Sequence, residues 1–373
     1  MKSNQYVYPS LGFKNLSHSK DKYTIVGETI ADFAYFKNLL EKIPKLKVNI
    51  KGSNIAAQVF SIFLSNQIIF GPKKFISEDR VEFLKQIRQF TDRNKALQFS
   101  FLGFPFKIPM PLKTKRTLPD MGEVLALHRL FLITQLIAKI YKPGGVINIF
   151  TEGAFADFAN ISETEARAYD KQLQILIYKF GYNKTLKIIP LARMKKTANF
   201  KSVFSQIYQE NLLKFKRHEK GIMRAYQEAG QPIEKIVNTR MYDTETLKDV
   251  FNPKFKGATS QVTKIRNDIQ KRGQAAFIKY LYFIQTKNKI NFVEKTIGPN
   301  LPLSVSPKRG RLGIFPIDKK IEILAFHGVP LHYARRNEFD IQYLVDLQAM
   351  PVKVRLLYLK GDPERSPFCY EII

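Results

Sequence analysis

The stretch from Leu97 to Tyr141 reads LQFSFLGFPFKIPMPLKTKRTLPDMGEVLALHRLFLITQLIAKIY. Its first six residues, Leu97 to Leu102, are mostly Phe and Leu, the composition of a short buried strand. Gly103 and Pro105 end it. A loop carrying Lys107, Lys113, Lys115 and Arg116 follows. Pro119-Asp120 then opens a helix of roughly 22 residues, about 33 Å long at 1.5 Å per residue. Ala126, Leu130, Ile133, Ile137 and Ile140 recur at helical spacing, and Leu125, Phe131, Leu132 and Leu136 widen the stripe. Most of this helix is therefore expected against a sheet. Strand, charged loop and buried helix make the first half of a βαβ unit, and in such sheets ligands bind beyond the carboxyl ends of the strands.

The pattern continues downstream. Pro143-Gly144-Gly145 stops the helix. Val146 to Phe150 reads as a second strand, with Thr151-Glu152-Gly153 at its carboxyl end. Ser162 and Glu165 form a capping-box pattern for a helix running to about Phe180, and Leu186 to Leu191 reads as a third strand. The β–α–β–α–β order predicts an α/β fold with a Rossmann-like, mostly parallel sheet and right-handed crossovers. Upstream, helical spacing covers Ala31 to Leu46, Ile55 to Leu64 and Glu82 to Phe90. From Asn199 to Gln285 the chain is helical and charged, broken near Gly230-Gln231-Pro232 and Phe251 to Gly257, which predicts a helical cap. After Pro299, LPLSVS (301–306), ILAF (323–326) and VKVRLLYL (352–359) predict a smaller β-rich C-terminal part. The expected divisions are 1–198, 199–300 and 301–373.

Hydrophobic residues make up 45% of the 373-residue chain and charged residues 25%, as in an ordinary globular protein. The net charge of +29 is the extreme number. It invites a nucleic-acid reading, but the basic residues are dispersed and no DNA- or RNA-reading motif is present, so no specific nucleic-acid partner is expected. No signal-peptide pattern is read at the N-terminus, no stretch approaches 18 uninterrupted apolar residues, and a cytoplasmic location is expected without a membrane span. The single cysteine, Cys369, excludes an internal disulfide framework. There is no Walker A loop, no G-x-G-x-x-G and no H-E-x-x-H.

FPFK (104–107), LPDMGEVLAL (118–127) and YKPGGVINIFTEG (141–153) resemble, in order and spacing, three linked motifs of the pyoverdine/dityrosine-biosynthesis family, which includes the isocyanide (isonitrile) synthases. LPLSVSPKRGRLGIFP and the later LAFHG resemble that family's C-terminal pattern. The resemblance implies an enzyme that converts the amino group of tyrosine or tryptophan to an isonitrile, taking the carbon from the ketone carbon of ribulose 5-phosphate. An aromatic amino acid and a pentulose phosphate would be its partners. The chemistry demands no redox or metal cofactor, and neither a cofactor nor a metal site is expected. Two departures stand out. Glu152 occupies a position more usually Asp, with one residue fewer before Asp157, and Phe326 replaces a Trp before His327.

The candidate residues follow from chemistry and motif together. Lys107, after a strand end, suits a phosphate or carboxylate, or a Schiff base if burial lowers its pKa. As a loop lysine it is expected to contribute at most about 1 kcal/mol to stability. Asp120 and Glu123 read as a capping box and, by the resemblance, as substrate-binding groups. Glu152 and Asp157 lie past the second strand, where a carboxylate receives an amine or acts as general base. Lys308 and Arg311, flanking Arg309 and Gly310, suit a sugar phosphate or a solvated turn. His327 is the acid/base group nearest neutral pH. Lys107, Glu152, Asp157 and His327 form the expected catalytic set; Asp120, Glu123, Lys308 and Arg311 form the expected binding set. The competing readings are a divergent family member with another small-molecule activity, and a basic protein that binds nucleic acid, membrane or a host protein.

Overall fold

The helix Met121–Ile140 (α4) is buried on nearly every face because it lies between two sheets. The computed structural model describes residues 22–70, 78–107, 113–153, 162–228, 259–305, 309–315, 317–321 and 323–373. The first sheet is parallel and contains β2 (Leu97–Gly103), β3 (Gly145–Thr151), β4 (Leu186–Pro190), β5 (Leu301–Ser304) and β6 (Leu312–Gly313), in the order β4-β3-β2-β5-β6. Register pairs Phe99 with Ile147 and with Leu301 across β2. The chain builds outward from β2 through α4 and α5 (Glu163–Lys179), then returns to place β5 on the other side of β2. The gap between β2 and β5 is the point where strand order reverses, the place where open α/β sheets bind ligands.

Alternation along the strands assigns the two faces. Phe99, Phe101, Ile147 and Ile149 join the large core with α4, α2 (Ile55–Phe63) and α3 (Arg80–Thr91). Leu102, Phe150 and Ile189 face the other way, onto Leu191, Met194, Phe283 and Phe292. That second layer is the expected helical cap: α6 (Phe200–Lys214), α7 (His218–Glu228), α8 (Thr259–Lys289) and α9 (Phe292–Ile297). Its own core joins Ile207, Ile222 and Met223 to Phe277 and Ile278.

The second sheet is mixed, with order β1-β9-β10-β7-β8: β1 (Thr24–Ala31), β7 (Val329–Tyr333), β8 (Glu338–Gln342), β9 (Lys353–Leu359) and β10 (Cys369–Ile372). Two helices accompany it, α1 (Phe33–Glu41) and α10 (Leu344–Ala349). Two expectations about division change here. The strand at Leu301 belongs to the parallel sheet, and the C-terminal sheet takes an edge strand from the N-terminal region, so 301–373 is not a self-contained part. ILAF ends in a 3-10 turn, Ala325–His327, instead of a strand. The expected helix from Ala31 begins at Phe33, after Asp32 caps it. α4 is long and apolar enough to cross a membrane by composition, but most of it is covered by protein.

Candidate functional site

The FPFK segment turns sharply. Phe104 takes a left-handed φ of 53°, an uncommon conformation for a bulky residue. The turn buries Phe104 and Phe106 and carries Lys107 inward, leaving it 2% exposed. The Lys107 ammonium lies 2.5 Å from Asp120 Oδ2 and 3.1 Å from Glu123 Oε2, with all three side chains enclosed. Asp120 and Glu123 also form the expected capping box. Asp120 Oδ1 accepts from the Gly122 N–H at 2.8 Å, and Glu123 Oε2 accepts from the Asp120 N–H at 2.9 Å. From α5, the Tyr169 hydroxyl donates to Glu123 Oε1 at 3.2 Å. Cap and site are thus the same residues: Asp120 splits its oxygens between the backbone and Lys107, while Glu123 Oε2 serves both and its Oε1 takes Tyr169.

This geometry corrects the reading of Lys107 as a loop lysine offered to a substrate anion. Its charge is committed to two buried carboxylates. Burial pushes the Asp120 carboxyl up to about 7; Glu123 adds to the rise, while Lys107 and Arg116 oppose it. Burial and Glu123 together hold the Tyr169 hydroxyl well above the usual tyrosine range, so it keeps its proton. Arg116 closes the loop from outside. It pairs with Asp362 at 2.7 Å and Glu364 at 3.3 Å and donates to the Ser366 carbonyl at 2.6 Å, tying the loop to the β9–β10 connection.

Glu152 follows β3 and is 8% exposed. Its Oε1 accepts a hydrogen bond from the Tyr280 hydroxyl of α8, so the cap reaches the carboxyl end of the sheet. Asp170 on α5 stands beside Gly153, where an added methyl would lie 3.6 Å from Asp170 Oδ2. Burial raises the Asp170 carboxyl to about 6, against the pull of Thr151 and Arg193. A cleft of about 240 Å³ opens here, with Arg167, Arg193, Lys195 and Lys196 around Asp170.

The turn carrying His327 packs on the start of α4. A methyl added at Gly122 would come within 3.3 Å of the Ala325 carbonyl oxygen. The His327 ring lies 4.2 Å, centroid to centroid, from Phe326, which keeps an aromatic wall where the family pattern has Trp. Gly328 is demanded by close approach: a Cβ there would sit 2.5 Å from the Gln342 carbonyl oxygen. The basic loop divides. Arg309 is exposed and pairs with Glu78 at 2.5 Å, whereas Arg311 is partly buried on the cap side near Tyr280. Asp157 and Lys308 lie outside the described residues. Among the described residues no group of three or more His, Cys, Asp or Glu is placed to hold a metal ion.

Three site groups were not singled out from the sequence: Tyr169, Asp170 and Tyr280. The first two had a signal, since they occupy the buried stripe of α5 with Ala166, Leu173 and Ile177. A carboxylate on an apolar stripe is costly to bury without a purpose. Tyr280 had none, being one aromatic in a long, charged helix.

Lys107 of FPFK and Asp120 and Glu123 of PDMGE are thus brought together after the end of β2, and residues 87–279 match the family of pyoverdine/dityrosine biosynthesis proteins. The chain belongs to this family. Over 138 residues it is 32% identical to the spore wall maturation protein DIT1 of Saccharomyces cerevisiae, a match covering 37% of this chain and 25% of that protein. Over 185 residues it is 24% identical to the L-tyrosine isonitrile synthase of Xenorhabdus nematophila, covering 48% of this chain and 53% of that enzyme. The chain therefore matches between about a quarter and about half the length of these relatives. The fold is that of the PvcA protein from Pseudomonas aeruginosa: TM-score 0.65 at 19% identity, over 86% of this chain and 100% of that one. Lys107, Asp120, Glu123, Glu152, Tyr169 and Asp170 all fall within the region that matches the pyoverdine/dityrosine family, whereas Tyr280, Arg311 and His327 lie beyond it.

Proposed function

We propose that this protein is an isonitrile synthase, converting the α-amine of tyrosine or tryptophan to an isonitrile with the ketone carbon of ribulose 5-phosphate. The observation that carries the reading is Glu152: a carboxylate held by Tyr280 at the carboxyl end of β3, the strand paired with β2, after which the enclosed Lys107 and its partners Asp120, Glu123 and Tyr169 come. Relatives named as isonitrile synthases support the reaction class. An amine that attacks a ketone must be bound, deprotonated and then supplied with protons as oxygen leaves. Glu152 receives the ammonium and takes its proton. His327, whose turn rests on the same helix start, returns protons. Lys107 compensates Asp120 and Glu123, so that two carboxylates persist where burial would otherwise disfavour them. Asp157, beyond the described residues, is proposed as a second carboxylate for the amine, and Lys308 as a partner for phosphate. A cytoplasmic location and the absence of an added cofactor belong to the same proposal.

Mass spectrometry tests it. Purified protein is incubated with tyrosine or tryptophan and ribulose 5-phosphate labelled at the ketone carbon. The labelled carbon is expected in an isonitrile of one of the two amino acids. If neither yields labelled product while an authentic synthase does so under the same conditions, the reading fails. The Glu152 and Phe326 departures then favour a different small-molecule activity at the same site.

A further inference from the structure

A cavity of about 560 Å³ lies between α4 and the β7–β8 hairpin, a size common among sites for small organic ligands. Leu125, His128, Arg129 and Leu132 give it one stripe of the helix. Glu123, which pairs with Lys107, stands about 160° round the helix from Leu125 at 100° per residue. The helix itself therefore separates this cavity from the Lys107 cluster. Ile43 and Leu46 from the α1–α2 connection, Ile321 and the hairpin residue Phe339 supply further apolar wall.

Arg129 is the polar anchor, only 9% exposed. Its Nε donates to the Phe315 carbonyl at 3.1 Å and its Nη2 to the Gln67 carbonyl. These contacts fix the guanidinium and use two of its five N–H donors. Among the described residues no carboxylate forms an ion pair with it; burial pulls its pKa down, and Asp318 opposes this only through space. Of the described residues lining the cavity, Lys45, Arg129, Lys319, Lys320 and Arg336 are cations, against Asp318, Glu338 and Asp340. Each acid is engaged close at hand. Glu338 pairs with Arg336 at 3.4 Å, Asp340 accepts from the Gln342 amide at 2.6 Å, and Asp318 accepts from the Lys320 N–H at 3.0 Å. His128 lies 2.8 Å from the Tyr182 hydroxyl, and burial pulls its pKa to about 4, so it offers the cavity a neutral ring. A desolvated guanidinium attracts an anion more strongly than one in water. The apolar walls demand that the anion carry an apolar body, and the His128 and Phe339 rings suit a flat one.

We propose that this cavity binds a small aromatic carboxylate, with the carboxylate on Arg129 and the ring among Leu125, Leu132, Ile321 and Phe339. The guanidinium supplies paired donors to the two carboxylate oxygens, and Lys319 and Lys320 at the mouth add positive charge. The site stands apart from Glu152 and does not depend on the isonitrile-synthase reading.

The chain contains no tryptophan, so indole fluorescence reports the ligand alone. Full-length protein is titrated into indole-3-propionate, and separately into neutral 3-methylindole and cationic tryptamine, and anisotropy is read. Indole-3-propionate is expected to bind at least about 10-fold more tightly than either comparator. Arg129→Gln is expected to weaken it about 10-fold to 100-fold. Because Arg129 also ties two backbone segments, Leu132→Phe gives an independent reading: the larger ring occupies the cavity and is expected to weaken binding about 10-fold or more. Glu152→Gln is expected to bind indole-3-propionate as wild type does, which separates this site from the one proposed for the amine. No rise in anisotropy, equal affinity for the carboxylate and its comparators, or unchanged affinity in folded Arg129→Gln or Leu132→Phe overturns the proposal. Loss of binding in Glu152→Gln also overturns it, by moving the ligand to the reaction site. Failure to form labelled isonitrile bears on the synthase reading and leaves this one standing.

Discussion

Lys107 is one positive charge enclosed with two carboxylates, and removing it takes away the cation that pairs with both. Breaking a buried ion pair from one side costs about 3–5 kcal/mol. Lys107→Ala is therefore expected to lose that much in urea denaturation, several times what a surface lysine contributes; a loss below about 1 kcal/mol would remove the cluster from this account. A second prediction concerns protons. Asp170 rises from 3.8 to about 6 through burial, so between these values the folded state binds a proton that the unfolded chain has released. The stability it contributes is present below about 4 and lost as pH rises to about 6. His128, pulled from 6.5 down to about 4 by burial, works in the opposite sense over an overlapping range. The comparison must therefore be between wild type and Asp170→Asn. The variant is expected to gain stability relative to wild type as pH rises from about 4 to about 6, and a gap that stays constant across that range would refute it. At this scale the motif positions Lys107, Asp120 and Glu123 were legible because their spacing is local. That the three meet was not, because it depends on a left-handed Phe104 that turns a loop lysine inward.

Among elements, α4 and α8 decide the site from opposite faces of the sheet. α4 was readable from end to end: its cap, its apolar stripe and its Gly-Gly stop are all in the local sequence. β1 was not read as a strand, since as an edge strand it buries only Ala31 fully and shows no regular alternation. β5 was assigned to the C-terminal part because four residues carry no mark of the sheet they will join; its partner β2 is some 200 positions away in the chain. α8 was legible as a helix of the cap, but not that Tyr280 would reach Glu152. Tyr280→Phe removes that donor and leaves a buried carboxylate short of one partner. The expected cost is about 1–3 kcal/mol of stability together with reduced turnover. Wild-type turnover in a folded Tyr280→Phe protein would place the cap outside the chemistry.

For the molecule as a whole, the parallel sheet with its cap was the dependable expectation, and two sheets sharing α4 was the unexpected part. The charge of +29 is expected to be spread over the surface and not gathered for nucleic acid. Duplex DNA binding is expected to be weak, independent of sequence and largely gone by roughly 200 mM salt. Sub-micromolar, sequence-selective binding at that salt would show that the basic surface has a reader's role. The central claim is that the amine becomes an isonitrile at the carboxyl edge of this sheet, under Glu152. Its most direct measurement is transfer of the labelled ketone carbon from ribulose 5-phosphate by wild type and by Glu152→Gln, both shown to be folded by near-UV circular dichroism. The account predicts labelled isonitrile from wild type and a rate lower by about 10²–10⁴-fold in the variant, the range of a lost general base. Undiminished transfer in Glu152→Gln would contradict it.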